Sequence, residues 1–420
     1  MRRRAGLLVV VAIGFLVIFL FGRRPVPVHG QVESETGTAA ILGEKGGQDV
    51  FGAYEVVKDW PKPISALPGN EKWTWGAAES VFAESPDRVY ILQRGELPNI
   101  KAPKEIDLPQ LGPSLTFPIG RLPWRDATAA SPPGPLDGPN HGTADVDYRW
   151  ENCLVVVDAS GNIIERWKQW DSMLRRPHAI YINPYDPEKH VWLVDDYRQA
   201  IFEFTHDGKE LVKTLGEVNV HGSDDKHFYR PTYIAWLPDS TMFVADGYAN
   251  TRVVKLDKNG NYLTAWGQPG TPPNEMRPGY FNAVHGIAVD VQTRRVFVND
   301  RSNHRIQVFD ENGKFLNQWR AGDPPSDVHL VYMSANRHLW AADRGTSKLV
   351  EYDLDGHFLY SWGTWGDFPG GMWGVHGTSV DQGGNVYLAE VDNGRTEKFA
   401  PRKGANPLYL VGPPARPVWK

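Results

Sequence analysis

Short apolar segments alternate with turns from about residue 50 to the end of the chain, and no stretch there keeps a helical period. Five of the segments open at the same phase of a repeat. They read RRPHAIYI at His178, RPTYIAWL at Thr232, AVHGIAVD at His285, DVHLVYMS at His329 and GVHGTSVD at His376. Each leads into a second apolar run ending in an acidic or turn-forming cluster: VWLVDDYRQ, MFVADGYANTR, VFVNDRSNHR, LWAADRGTSK and VYLAEVDNGR. Hairpins such as LDKNGNYL, FDENGKFL and YDLDGHFL come next, followed by strands that often close on tryptophan, as in LTAWG, LNQWR and LYSWG. Runs rich in β-branched and aromatic residues between Gly, Asn and Asp turns read as strands. The openings recur every ~44–54 residues, the period of a four-stranded propeller blade.

An earlier unit, TWGAAESVFAESPDRVYILQRGE at 74–96, continues in LVVVDASGNIIERW at 154–167, which brings the total to six blades. The fold class is therefore an all-β, six-bladed β-propeller. The segment AYEVVKDW at 53–60 is expected to supply the missing outer strand of the last blade, which closes the ring and removes free sheet edges. The stretch 97–150, rich in Pro and Gly, reads as an insertion in blade one. A long stretch of this kind inside a domain is usually a functional loop or lid.

Ahead of the propeller, residues 5–22 form an uncharged apolar run preceded by Arg2, Arg3 and Arg4. That pattern predicts a hydrophobic helix acting as signal anchor or signal peptide over 1–24, a linker over 25–49 and the propeller over 50–420. The protein is then extracytoplasmic, periplasmic or secreted, and touches the membrane through this segment if it is uncleaved. The 45 Lys+Arg against 50 Asp+Glu give a net charge of −5, which argues against a nucleic-acid partner. The one cysteine, Cys153, lies in CLVVVD, so no intrachain disulfide forms and the thiol is expected to be buried and inert. The chain is expected to act as a monomer.

In a propeller, equivalent blade positions converge on one axis, so histidines distant in sequence face one another. Three imidazoles with one open position describe a catalytic zinc. A single strand-opening histidine is most often a satisfied core residue; four at one phase favour a metal. Arg94, Tyr248 and Arg301 fall near the ends of second strands, at turns facing the tunnel mouth, where functional residues tend to lie. Asp246 and Asp300, with Asn250, Arg252, Asn303 and Arg305, are expected to cap backbone groups at blade turns.

The stretches GSDDKHFYRPT (222–232), FVADGYANTRVV (243–254), RPGYF (277–281), VHGIAV (284–289) and NDRSNHRIQVF (299–309) give the chain a specific likeness. It resembles the peptidyl-α-hydroxyglycine α-amidating lyases, six-bladed propellers of the NHL-repeat type, with weaker similarity from about 51 to 400. The resemblance implies zinc ligands at His178, His285 and His376, a catalytic Tyr248, and active-site arginines Arg94 and Arg301. The implied reaction cleaves the C–N bond of a small peptidyl- or acyl-α-hydroxyglycine to an amide and glyoxylate. Three departures stand out. The family's disulfide positions are Tyr229 and Ala249. The aspartate that follows the third zinc histidine is Gly377, which weakens the expectation of calcium. His329 stands where an apolar residue is usual, as a channel residue, a fourth ligand or a proton carrier. Two alternatives stay open: a non-catalytic binding scaffold, and another metal-dependent propeller hydrolase. Calcium-based hydrolases of that kind need oxygen ligands, whereas imidazoles favour a transition metal.

Overall fold

The computed structural model describes residues 47–99, 106–107, 116–117, 144–415 and 417–418. The expected signal or anchor over 1–24, the linker up to 46 and most of the 97–150 insertion lie outside the described residues. Among the described residues no helix is long and apolar enough to cross a membrane.

Six four-stranded antiparallel sheets form the six blades. Their innermost strands are Trp73–Ser85, Pro177–Ile182, Pro231–Trp236, Val284–Asp290, Val328–Met333 and Val375–Val380, for blades one to six. The three inner strands of a blade are covered on both faces by neighbouring blades, so they read as near-continuous apolar runs. Val191–Asp195 and Met242–Asp246 are buried at every position. Outer strands such as Leu211–Leu215 are mostly exposed, which is why their sequences look polar.

The recurring hairpin glycine and strand-closing tryptophan belong to one joint between blades. Gly313, at φ +85, lies against the Trp266 ring of the preceding blade, and a Cβ there would meet Trp266 Cδ2 at 2.7 Å. Ring closure follows the same rule. Tyr54–Val56 pairs antiparallel with Arg395–Pro401 as the outer strand of blade six, as the sequence predicted, with Tyr54 opposite Pro401 and Val56 opposite Phe399. Gly52 then packs on Trp362 of blade five. Gly47–Asp49 adds a short parallel strand to the outer edge of that blade.

Candidate active site

Every inner strand shifts register against the second strand at least once. Pairing with the second strand skips Glu79 in blade one, His178 in blade two, Thr232 with Tyr233 in blade three, His285 with Gly286 in blade four, His329 in blade five and His376 in blade six. A bulge leaves its residue out of the ladder and re-aims the side chain. The six bulges turn one residue per blade onto the axis.

The sequence supplies a second device that fixes these positions. An acid at the end of the second strand in blades two to six, and Gln93 within that strand in blade one, accepts from backbone N–H groups of or leading into the inner strand. Asp195 accepts from Arg175 N and Arg176 N, Asp246 from Tyr229 N, Asp300 from Asn282 N, Asp343 from Asp327 N, Glu390 from Trp373 N, and Gln93 from Gly76 N. Asn250 and Arg252 bond to Asp246, and Asn303 and Arg305 to Asp300, as backbone-capping groups rather than as a reactive set.

His178, His285 and His376 are buried, and each offers a ring nitrogen within 4.8 Å of the other two. Their Nδ1–H groups donate to backbone carbonyls of the next blade: His178 to Thr232 O at 3.0 Å, His285 to His329 O at 2.5 Å and His376 to Glu79 O at 2.7 Å. These bonds fix one tautomer, which leaves each Nε2 as a free lone pair toward the axis. Burial first, and neighbouring positive groups second, hold all three imidazoles well below the usual histidine range, so they are neutral. Three buried neutral imidazoles with unprotonated Nε2 atoms fit zinc in donor type and number.

The Tyr248 hydroxyl lies 2.7 Å from His285 Nε2 and 3.2 Å from His178 Nε2. Tyr248 follows the second strand of blade three, at a turn on the end that faces the histidine cluster. Burial raises its pKa, while the charges of Arg176 and Arg301 pull it down. Arg230 stacks over its ring at 4.5 Å and Arg176 lies at 5.5 Å; both guanidiniums also sit over Tyr197. Asp196 holds the pair, at 2.8 Å from Arg230 and 3.4 Å from Arg176. This cationic support of Tyr248 was not legible in the sequence.

Arg301 chelates Asp327 through Nε at 2.8 Å and Nη2 at 2.9 Å. His329 donates from Nε2 to the same carboxylate at 3.1 Å, and burial lowers its pKa to about 4. His329 is thus a neutral axis residue that braces the Arg301 partner, and it falls outside the three-histidine cluster. Arg94 differs from its expected position. It lies inside the strand Arg88–Pro98, not at a turn, because blade one's first two strands stay paired out to Trp73 and Pro98. Its Nε forms an ion pair with Glu79 at 2.9 Å.

Glu79 and Tyr233 were missed by the sequence reading. Glu79 occupies in blade one the axis position that histidine holds in blades two, four and six. It is fully buried, and neither carboxylate oxygen accepts a hydrogen bond from a described residue. Burial pushes it up to about 7 against the opposing pull of Arg94. Aligning GAAESVFA on RPHAIYI would have exposed it. Tyr233 touches all three histidine rings, at centroid distances of 4.9, 5.2 and 5.7 Å, and its hydroxyl donates to His376 O. Cys153 is a free, buried thiol whose pKa burial raises far above normal. Tyr229 stacks on His221 at 4.3 Å.

Comparison with known proteins adds the family context. A model of the NHL repeat matches residues 281–309, the first three strands of blade four. Peptidyl-alpha-hydroxyglycine alpha-amidating lyase 1 of Drosophila melanogaster is 28% identical over 282 residues, covering 62% of this chain and 51% of that protein. The probable peptidyl-alpha-hydroxyglycine alpha-amidating lyase pgal-1 of Caenorhabditis elegans is 26% identical over 247 residues, 58% of this chain and 68% of its own. The chain is a relative of these amidating lyases. Peptidyl-glycine alpha-amidating monooxygenase A of Xenopus laevis is 30% identical over 195 residues, 46% of this chain and only 20% of that longer protein. The matched NHL repeat is the one on which His285, Arg301 and the Asp300 cap stand.

Proposed function

We propose that this protein is a zinc-dependent lyase that cleaves the C–N bond of a peptidyl- or acyl-α-hydroxyglycine to an amide and glyoxylate. The observation that carries the reading is the Tyr248 hydroxyl placed against the lone-pair nitrogens of His178 and His285. A buried phenol facing a three-imidazole cluster is a proton-transfer group beside a metal site.

Zinc, held by His178, His285 and His376, supplies when bound a positive charge that acidifies nearby hydroxyls. The residues of the chain do the rest. Tyr248, with Arg176, Arg230 and Arg301 favouring its phenolate, takes the proton of the substrate α-hydroxyl. The O–H electron pair becomes the carbonyl of glyoxylate as the C–N bond breaks. That bond's electrons go to the amide nitrogen, which takes up the proton that Tyr248 removed. No water is consumed. Arg301 and Arg94 each keep guanidinium nitrogens beyond their Asp327 and Glu79 contacts to hold the substrate carboxylate. Residue 377 is glycine, where a Cβ would meet Ser80 Cα at 2.7 Å, so this position offers calcium no side-chain ligand. The apolar run at 5–22 behind Arg2–Arg4 supports an extracytoplasmic site of action.

The test is glyoxylate release from α-hydroxyhippurate by zinc-loaded and chelated protein, with Tyr248→Phe alongside. Turnover that requires zinc and falls by ~10²–10⁴-fold in Tyr248→Phe, with metal retained, is the expected result. A folded, zinc-loaded wild type that releases no glyoxylate overturns the reading. Undiminished turnover in the variant removes Tyr248 from the role.

A further inference from the structure

We infer that Arg176 is a further substrate-binding residue, one that takes the α-carboxylate of the substrate together with Arg94. The inference rests on the lyase reading and adds to it a direct contact with the substrate.

The reaction limits where that carboxylate can lie. The α-hydroxyl and the carboxylate are borne by one carbon. A hydroxyl held at the Tyr248 oxygen therefore leaves the carboxylate among the guanidiniums that flank the phenol. Arg230 lies 4.5 Å and Arg176 5.5 Å from the Tyr248 ring. Arg176 and Arg301 are the charges that draw the phenol's pKa down. Arg176 also precedes His178 by two residues, and its charge is among those that keep that imidazole neutral. Arg176 thus stands beside both the phenol and the histidine cluster.

The flanking guanidiniums differ in what they have left to offer. Arg301 holds Asp327 through Nε at 2.8 Å and Nη2 at 2.9 Å. Arg230 holds Asp196 Oδ2 through the same two atoms, at 2.9 and 2.8 Å. Arg176 makes no such bond. Among the described residues, the hydrogen bonds it donates come from its backbone N, to Asp195 Oδ1 at 3.1 Å and Oδ2 at 3.0 Å. Its Nε stands 3.4 Å from Asp196 Oδ1, and neither atom has a hydrogen-bond partner. Its terminal nitrogens are uncommitted, and the side chain is 23% exposed. The backbone bonds to Asp195 and the Tyr197 ring, 4.8 Å away, hold it in place. Arg94 resembles it, with Nε 2.9 Å from Glu79 in an ion pair without a hydrogen bond.

The two flanks of the site also differ in charge balance. On the side of blades four to six, Arg301 and Arg344 face Asp327 and Asp392, and one carboxylate chelates each guanidinium. On the side of blades one to three, Arg94, Arg176 and Arg230 share only Glu79 and Asp196 among the described residues. A buried charge in excess of its partners is costly unless an anion completes it. The like charges of Arg176 and Arg94 repel, which helps lower the Arg94 pKa. A carboxylate taken up by both relieves that repulsion, and a planar guanidinium can bind its two oxygens at once.

The experiment uses the zinc-loaded full chain. Calorimetric titration with benzoylglycine, which carries the carboxylate, and with benzoylglycinamide, which lacks it, reports the contact without turnover. Arg176→Met is expected to weaken benzoylglycine binding by ~10–100-fold, to leave benzoylglycinamide binding unchanged and to raise KM for α-hydroxyhippurate by a similar factor. Arg176→Lys keeps a charge beside Tyr248. It is expected to keep the wild-type pH profile of kcat while recovering only part of the benzoylglycine affinity, because an ammonium is a point charge and not a fork. Wild-type benzoylglycine affinity in Arg176→Met, or in Arg176→Lys if only that variant folds, overturns the inference and leaves the lyase reading standing. So does an unchanged KM with a lowered kcat whose pH profile moves upward, which confines Arg176 to support of the phenolate. A wild type that binds benzoylglycine through Arg176 yet releases no glyoxylate from α-hydroxyhippurate overturns the lyase reading and keeps the carboxylate contact.

Discussion

Even and odd blades use the same axis position for opposite purposes. Blades two, four and six place an imidazole there, with Nδ1 tied off and Nε2 unprotonated. Blades one, three and five place Glu79, Thr232 and His329 there, and their backbone carbonyls accept the three Nδ1–H bonds. A ring of six similar repeats thereby becomes a site of threefold pattern, in which every imidazole leans on its neighbour. The odd-blade side chains are then free to serve other partners: Glu79 pairs with Arg94, His329 braces Asp327, and the Thr232 hydroxyl donates to His285 O at 2.8 Å and Ala245 O at 3.0 Å. The lesson is that repeat phase identifies the axis positions but does not assign their roles.

The sharpest way to break this contrast is to remove one imidazole of each kind. His285→Ala should lower zinc affinity by more than ~100-fold and abolish turnover, since even outer-sphere partners are worth 10–100-fold. His329→Ala should keep one zinc per chain, measured by elemental analysis after dialysis. Metal loss in His329→Ala and retention in His285→Ala would reverse the even–odd assignment.

Glu79→Gln asks whether an odd-blade side chain reaches the chemistry through its arginine. The shape is kept and the charge facing Arg94 is lost. A fall in kcat/KM of ~10-fold or more, with zinc content unchanged, is expected; unaltered kinetics would make Glu79 a structural counter-ion only. Thr232→Val should have the smallest effect. Loss of one buried hydroxyl donor costs about 1 kcal/mol of stability, read as a lowered denaturation midpoint, while zinc and turnover remain. A loss of zinc there would show that the carbonyl braces are more fragile than the geometry suggests.

The blade count, the ring closure through residues 53–60 and the convergence of the histidine-bearing strands were legible because each rests on a repeating local pattern. The support around Tyr248 was not. Arg176, Arg230 and Asp196 belong to three different turns, and only tertiary packing brings their charges to one phenol. Glu79 escaped because the pattern was built on histidine, and blade one spells the same position with a carboxylate. Arg94 was expected at a turn because the pairing length of blade one, set by partners at Trp73 and Pro98, leaves no local mark. The bond from His329 to Asp327 had no local mark in the sequence either.

Ring closure has a consequence for the order in which the molecule is made. The strand at Tyr54–Val56 emerges early, yet its partner at Arg395–Pro401 arrives roughly 340 residues later, ~20–70 s at ordinary rates of synthesis. Until then the first strand waits as an open edge, and His376, on the inner strand of the same final blade, is likewise absent. The last blade therefore completes the ring and the three-histidine cluster together. An unfinished chain holds His178 and His285 without His376, so the three-imidazole cluster exists only in a molecule whose ring is already closed.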